Sequence, residues 1–445
     1  MHAMDNPPPS PSLKRIIGAK SLGLNVVNLT IAAGIFGLPA IIAGILGAQG
    51  ILAYLVCAVL FGLVGLCFAE AGSRVGQAGG LYAYASVPFG PIVGGIAGTL
   101  LWTASGSVAD AAIINLLVDT LAAVVPALGA PWVRVLIIVA LFAAVALINI
   151  RGVTYGVRLS IALTVIKIAP LALLVVCGLF FVDPVKLAWH GAPAIRSVGQ
   201  AAVVLFYAFI GVEAALNMSG EVIRPSRTVP RGILLGLSII VILYMGLQLV
   251  AQGTLGAALP QSKAPLVDTA NIVFGPWGGR MLVLAVAISA SGCLAADMLS
   301  SPRVLHAFAE QRQLPRWLAR VHPRFHTPAA AIAAYAIACA TFALTGTFRQ
   351  LLILSSSGSL VLYLICCLGV LRLRARKVAI DGTAFIIPFG PVVPVTACLI
   401  IVWMLSTLSF RELWWTMAFI SVVGIAYAIH EHERAARQRT RGVEP

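Results

Sequence analysis

The chain has 445 residues, is 60% hydrophobic and only 10% charged, and carries a net charge of +15. A soluble globular chain has about 25% charged residues, so this composition excludes a soluble domain and indicates an all-α polytopic membrane protein. A nucleic-acid partner would need the basic charge gathered on one solvent face, and its distribution along the chain argues against that.

Residues 1–12 are polar and Pro-rich, and Lys14, Arg15 and Lys20 then flank the first apolar stretch. No cleavable leader pattern is evident, so this stretch reads as a retained anchor. In chain order, twelve spans of bilayer length are expected. Those of the first half cover residues 22–43, 50–69, 93–121, 133–150, 159–182 and 198–218. Those of the second half cover 232–252, 281–308, 329–347, 351–373, 387–408 and 413–429.

With the N-terminus inside, 22 of the 30 Lys and Arg residues fall on the inner side and 7 on the outer, leaving Lys167 within a span. This asymmetry places both termini in the cytoplasm and accounts for the basic charge without nucleic acid. The compact chain fits a bacterial inner membrane.

Two apolar spans carry small-residue interruptions. The first reads Thr30-Ile31-Ala32-Ala33-Gly34-Ile35-Phe36-Gly37-Leu38-Pro39, and the second Phe206-Tyr207-Ala208-Phe209-Ile210-Gly211-Val212-Glu213. A break inside a bilayer bares backbone groups that lipid cannot satisfy, so it must face a cavity or a polar solute. Broken helices at corresponding places in two halves point to the substrate site of a secondary transporter.

A faint internal repeat accompanies them. Ala85-Ser86-Val87-Pro88-Phe89-Gly90-Pro91 precedes the third span, followed by Gly94 and Gly95. Ala270-Asn271-Ile272-Val273-Phe274-Gly275-Pro276 precedes the eighth, followed by Gly278 and Gly279. The two lie on opposite faces, as inverted repeats of five spans require. The expected organisation is a tail (1–21), a first five-helix repeat (22–197), a second (198–385), two appended helices (386–429) and a tail (430–445). The polar stretch 71–88 reads as re-entrant or interfacial, and 311–326 as a basic helix plus loop. The appended pair would serve packing or homodimerisation.

The eight cysteines lie in apolar spans without a CxxC pair, so neither a disulfide framework nor a metal site is expected. No cofactor is expected. Nucleotide-binding, zinc-protease and nucleophile-elbow motifs are absent, which disfavours an enzyme.

Taken together, these features resemble the amino acid–polyamine–organocation superfamily over nearly the whole length. The strongest marks are Gly34-Ile35-Phe36 with Pro39, and Phe209-Ile210-Gly211-Val212-Glu213. Pro225-Ser226-Arg227, Val229-Pro230-Arg231 and Ser300-Ser301-Pro302-Arg303 follow in the family's order, then Leu314-Pro315, His322-Pro323 and Thr327-Pro328. The resemblance implies a leucine-transporter-like fold of five plus five inverted helices with two appended. It implies amino acid transport by alternating access, proton-coupled or by exchange. The family often has Gly-Ser-Gly where this chain has Ala32-Ala33-Gly34, so a substrate carboxylate would rely on the N–H groups of Ala33, Gly34 and Ile35.

Several residues are expected to carry the chemistry. A half-helix starting near Gly34 suits a carboxylate. The carbonyls of Thr30, Ile31, Tyr207, Ala208 and Ile210 suit an ammonium. Lys167 is a mid-span cation, and such groups are usually functional in membranes. It stands in a Thr-x-x-Lys-x-x-Pro pattern similar to relatives whose lysine replaces sodium, which makes it a coupling candidate. Glu213 and Asp110 are further candidates for gating, coupling or a cationic side chain, and Asp297 for pairing with a polar group. Trp102, Phe206, Tyr207 and Phe209 could line a pocket, with core packing the blander role. The alternative within transporters is a cationic amino acid or polyamine antiporter, resting on Asp110 and Glu213. The alternative of another class is a non-transporting solute receptor of the same fold.

Overall fold

A computed structural model describes residues 18–75, 80–151, 157–189, 191–212, 222–223, 225–310, 313–378 and 385–441, with the backbone path alone for 80, 157–166, 225–226 and 430–441. Glu213 lies outside the described residues. Among those described, the architecture is helical, with no β-strand.

The first apolar stretch is not one helix. Helix α1 (Ala19–Thr30) stops, residue 32 is extended, a single 3-10 turn covers Ala33–Phe36, and α2 (Leu38–Leu46) resumes with Pro39 in its first turn. Pro39 is tolerated there because the opening N–H groups of a helix lack intrahelical partners anyway. Then come α3 (Ile51–Val75), a short α4 (Gly80–Phe89), α5 (Pro91–Trp102) and α6 (Ala109–Val124). A π-helical segment, Thr103–Val108, joins α5 to α6. Helices α7 (Pro131–Ile150) and α8 (Val157–Gly178) follow.

Helix α9 (Ile195–Phe206) runs into a 3-10 turn at Tyr207–Phe209 and breaks, with Ile210 extended and Gly211 at φ +114°. The remainder comprises α10 (Pro225–Leu255), a second short helix α11 (Pro265–Phe274), α12 (Pro276–Glu310) and α13 (Ala329–Thr345). It ends with α14 (Phe348–Ala375), α15 (Val392–Ser406) and α16 (Phe410–Arg441).

Among the described residues, seven helical stretches are long and apolar enough to cross a membrane, and five further apolar helices are shorter. Sequence hydropathy runs straight through both interruptions, whereas the backbone does not.

Helix α1 packs on α10, α2 on α9, and α14 on α3, α4 and α6. Around the second break, Phe61 of α3 lies 4.9 Å from the rings of both Phe206 and Phe209, stacked on the latter, with Tyr363 of α14 edge-on. Phe206 and Phe209 therefore belong to the core and not to a pocket wall.

One buried ion cluster ties three segments. Glu70 of α3 is fully buried. It accepts hydrogen bonds from Arg74 (2.8 Å), from Arg374 of α14 (2.7 and 2.5 Å), and from the Ile387 N–H (3.0 Å). Replacing Glu70 with alanine strands those donors. It is expected to cost about 3 kcal/mol, the lower end for removing one member of a buried pair, because both arginines keep some solvent contact. A fall in the thermal unfolding midpoint of the detergent-solubilised protein is the check.

Candidate functional site

The two breaks meet. At Gly211, a Cβ would lie 2.7 Å from the Leu29 carbonyl oxygen, so the second break presses against the end of α1. At Gly34, a Cβ would lie 2.6 Å from the Tyr207 ring, so the first break presses against the second. Tyr244 of α10 fastens the pair, its hydroxyl reaching the carbonyls of Ala208 (3.1 Å) and Thr30 (3.4 Å).

A cavity of about 790 Å³ opens beside this junction. Among the residues expected at the site, Gly34, Ile35, Lys167, Tyr207, Ala208 and Ile210 line it. Thr30, Ile31 and Ala33 do not, being buried behind it. Their main chain still borders the break. The 3-10 turn that begins at Ala33 leaves the N–H groups of Ala33 and Gly34 outside the helical ladder. The Ile35 N–H falls within the turn, which narrows the expected donor set.

The carbonyls are less free than the sequence implies. Thr30 O accepts from the Ala32 N–H at 2.8 Å, and Tyr207 O from the Ile210 N–H at 3.3 Å. With Tyr244 on Thr30 and Ala208 as well, Ile210 is the one member of the expected carbonyl set that lines the cavity without accepting one of these bonds, while Ile31 lies buried behind it.

Lys167 donates to the Asn28 carbonyl at the end of α1. Asp110 lies behind the cavity wall. It sits in the first turn of α6 and is fully buried. It accepts from the Tyr335 hydroxyl of α13 at 3.0 Å and does not line the cavity. The carboxylate on the wall is Asp297 of α12, beside Cys293. Cys293 also lines the cavity, unlike the inert core thiol that its apolar span implies.

Two contributors escape sequence reading. Tyr244 looks like any aromatic residue in an apolar span. The π-helical segment carries Thr103, Ser105 and Ser107, and its neighbourhood supplies carbonyls to side chains from elsewhere. Ser355 donates to Ala104 O at 2.7 Å, and Tyr207 to Ala109 O at 2.7 Å. Such bulges recur at functional sites, and the Thr-Ala-Ser-Gly-Ser run was their only signal.

A second cavity, of about 930 Å³, lies beyond the junction and is lined by Gly37, Asp119, Arg134, Lys263, Phe348 and Arg349 among others. Tyr207 and Phe348 meet edge-on between the two, at 6.3 Å. Arg134 bonds Asp119 at 2.5 Å and also reaches Asn115.

A pocket at two main-chain breaks, walled by apolar side chains and a few polar groups, is the arrangement of a small-solute carrier. The chain matches the amino acid permease family over residues 17–429. It is 28% identical over 405 residues to a serine/threonine exchanger of Bacillus subtilis, covering 89% of this chain and 90% of that one. It is 27% identical over 394 residues to a branched-chain amino acid permease of Lactococcus lactis, covering 83% and 84%. It is 26% identical over 449 residues to a methylthioribose transporter of Bacillus subtilis, covering 96% and 95%. The chain belongs to the amino acid permease family of the amino acid–polyamine–organocation superfamily and is a secondary transporter of amino acids.

Proposed function

We propose that the protein carries neutral amino acids by alternating access, gripping the substrate's own charges with unwound main chain at the two breaks. The observation that carries this reading is the junction itself. The open N–H groups of Ala33 and Gly34 stand on one side of it, Ile31 and Ile210 carbonyls border it, and the cavity lies alongside. A carboxylate suits the first and an ammonium the second. The apolar wall formed by Ile35, Leu101, Trp102, Ile113 and Ile288 would take an uncharged side chain.

The twelve-helix, five-plus-five inverted arrangement belongs to the same proposal. Its support is the likeness of α4 and α11. Each is a ten-residue helix ending at a Phe that Gly and Pro follow. Gly90 and Gly275 both take positive φ, +93° and +71°, which glycine adopts without steric cost. Gly94 then packs against Ser86, and Gly279 against Asn271, at matching offsets. Helix α4 packs on α14, the fifth helix of the other unit, and α11 packs on α8, the fifth helix of the first. Among the described residues, α15 and α16 add none to either cavity, which fits packing or dimerisation.

The first cavity runs toward Asn149 and Val304, next to Arg151 and Arg303 on the basic face. By the positive-inside rule that face is cytoplasmic, so the conformation reads as inward-facing, with Tyr207 and Phe348 closing the outer path.

Counterflow into proteoliposomes tests the function. Loaded unlabelled serine, threonine, leucine or isoleucine is expected to drive uptake of the labelled amino acid, while lysine and putrescine do not. Counterflow driven by lysine or putrescine alone would establish the cationic antiporter, with Asp297 as its recognition group. Binding without flux would establish a receptor.

A further inference from the structure

We infer that Asp110 and Asp297 form a carboxyl pair that binds a single proton and hands it between the outer and inner solutions as the coupling ion of transport. The inference rests on the carrier reading above and deepens it by naming where the driving ion sits.

The geometry comes first. Asp110 is fully buried, and its Oδ2 accepts from Tyr335 at 3.0 Å. Its Oδ1 has no hydrogen-bond partner among the described residues. An orphaned buried carboxylate oxygen is costly, and Tyr335 is already spent on its twin. Helices α6 and α12 pack together, and the Asp297 carboxyl is the electrostatic neighbour of Asp110 across that contact. Two carboxylates cannot donate to each other, so the pair is satisfied only when one of them carries a proton. The bound proton is therefore the missing donor.

The surroundings favour a proton over a metal cation. The charged and titratable groups facing the pair are Lys167 from α8, Cys293 from α12, Tyr207 from the second break, and Tyr335 and Cys339 from α13. Lys167 supplies a positive charge against which two bare carboxylates leave a surplus of one negative charge. One proton brings the trio to zero, the cheapest state to enclose when the site closes against water. A sodium ion would instead stand beside an ammonium group. Access is also built in. Asp297 lines the cavity while Asp110 lies behind it. A proton arriving from external water in the outward-facing state would be held between the two. It would leave through Asp297 to the water of the inner cavity, with no bond changed apart from O–H.

The test uses the full chain in proteoliposomes, with labelled serine or leucine as probe and an entrapped pH dye. Wild-type protein is expected to accumulate the amino acid when the lumen is alkaline and to acidify the lumen as substrate enters. Asp110→Asn and Asp297→Asn are expected to lose gradient-driven accumulation and acidification, each with a monodisperse gel-filtration profile. Asp110→Glu is expected to restore both. The informative readout is accumulation relative to counterflow measured without a gradient, which for the asparagine variants falls to the no-gradient level. Wild-type counterflow without acidification would overturn the pair's role and leave the carrier reading standing. So would folded asparagine variants that accumulate as wild type does, or that lose counterflow and accumulation in equal measure. Absence of counterflow with every amino acid would overturn both.

Discussion

Replacing Gly211 with alanine is expected to reduce uptake at least about tenfold while the protein still inserts and folds. Gly211 sits at φ +114°, where L side chains are strained, at roughly 1–3 kcal/mol. Its added methyl would also lie 2.7 Å from the Leu29 carbonyl oxygen and 3.4 Å from the Thr30 Cα. These are backbone atoms at the end of α1, so no rotamer change relieves the contact. The two breaks must separate, which pulls Ile31 and Ile210 away from one another. At Gly34 the corresponding methyl meets the Tyr207 ring, a side chain that can swing at the expense of its bond to Ala109. Gly34→Ala is therefore the milder change. Initial uptake rates of a labelled neutral amino acid, normalised to reconstituted protein, decide the matter. Full activity in Gly211→Ala would mean that close contact between the breaks is dispensable.

The second large effect is at Lys167. Its ammonium holds the Asn28 carbonyl at the end of α1 and sits within electrostatic range of Asp297. Lys167→Ala removes the tie between α8 and α1 and leaves the carboxyl pair without its counter-charge. Stripping one partner from a buried charge set costs about 3 kcal/mol or more, and where that cost falls on the transport barrier uptake drops roughly a hundredfold. If the carboxyl pair is the proton site proposed above, protons load the carrier from outside, and uptake by the wild-type protein should rise as the outside is made more acidic. In Lys167→Ala the residual rate should no longer follow external pH. An unchanged rate with an unchanged pH profile would remove Lys167 from the coupling machinery.

Much of this was legible in the chain because membrane helices seldom carry such features without cause. Runs such as Ala32-Ala33-Gly34 and Ile210-Gly211 cannot be read as ordinary apolar helix once a bilayer is the solvent, and both are breaks in the structure. Each of the paired Phe-Gly-Pro stretches begins at the last residue of a short helix, α4 or α11. Lys167 stood out by charge alone. What escaped was direction. The chain singled out Asp110 as a candidate but not its surroundings: it turns to Tyr335, while Asp297 takes the wall. A soluble helix betrays its buried face by an apolar stripe. A membrane helix is apolar toward lipid and toward protein alike, so the stripe is erased.

Interruption of the two helices, the basic bias of one face and the isolation of one lysine were thus written in the order of residues, since each follows from backbone chemistry or charge in a low-dielectric medium. Which side chains share a cavity, which carbonyls Tyr244 engages, and which carboxyl stands beside which came only with packing. Those depend on how neighbouring helices are rotated and how deeply each is set, and contacts between residues distant in the chain fix both.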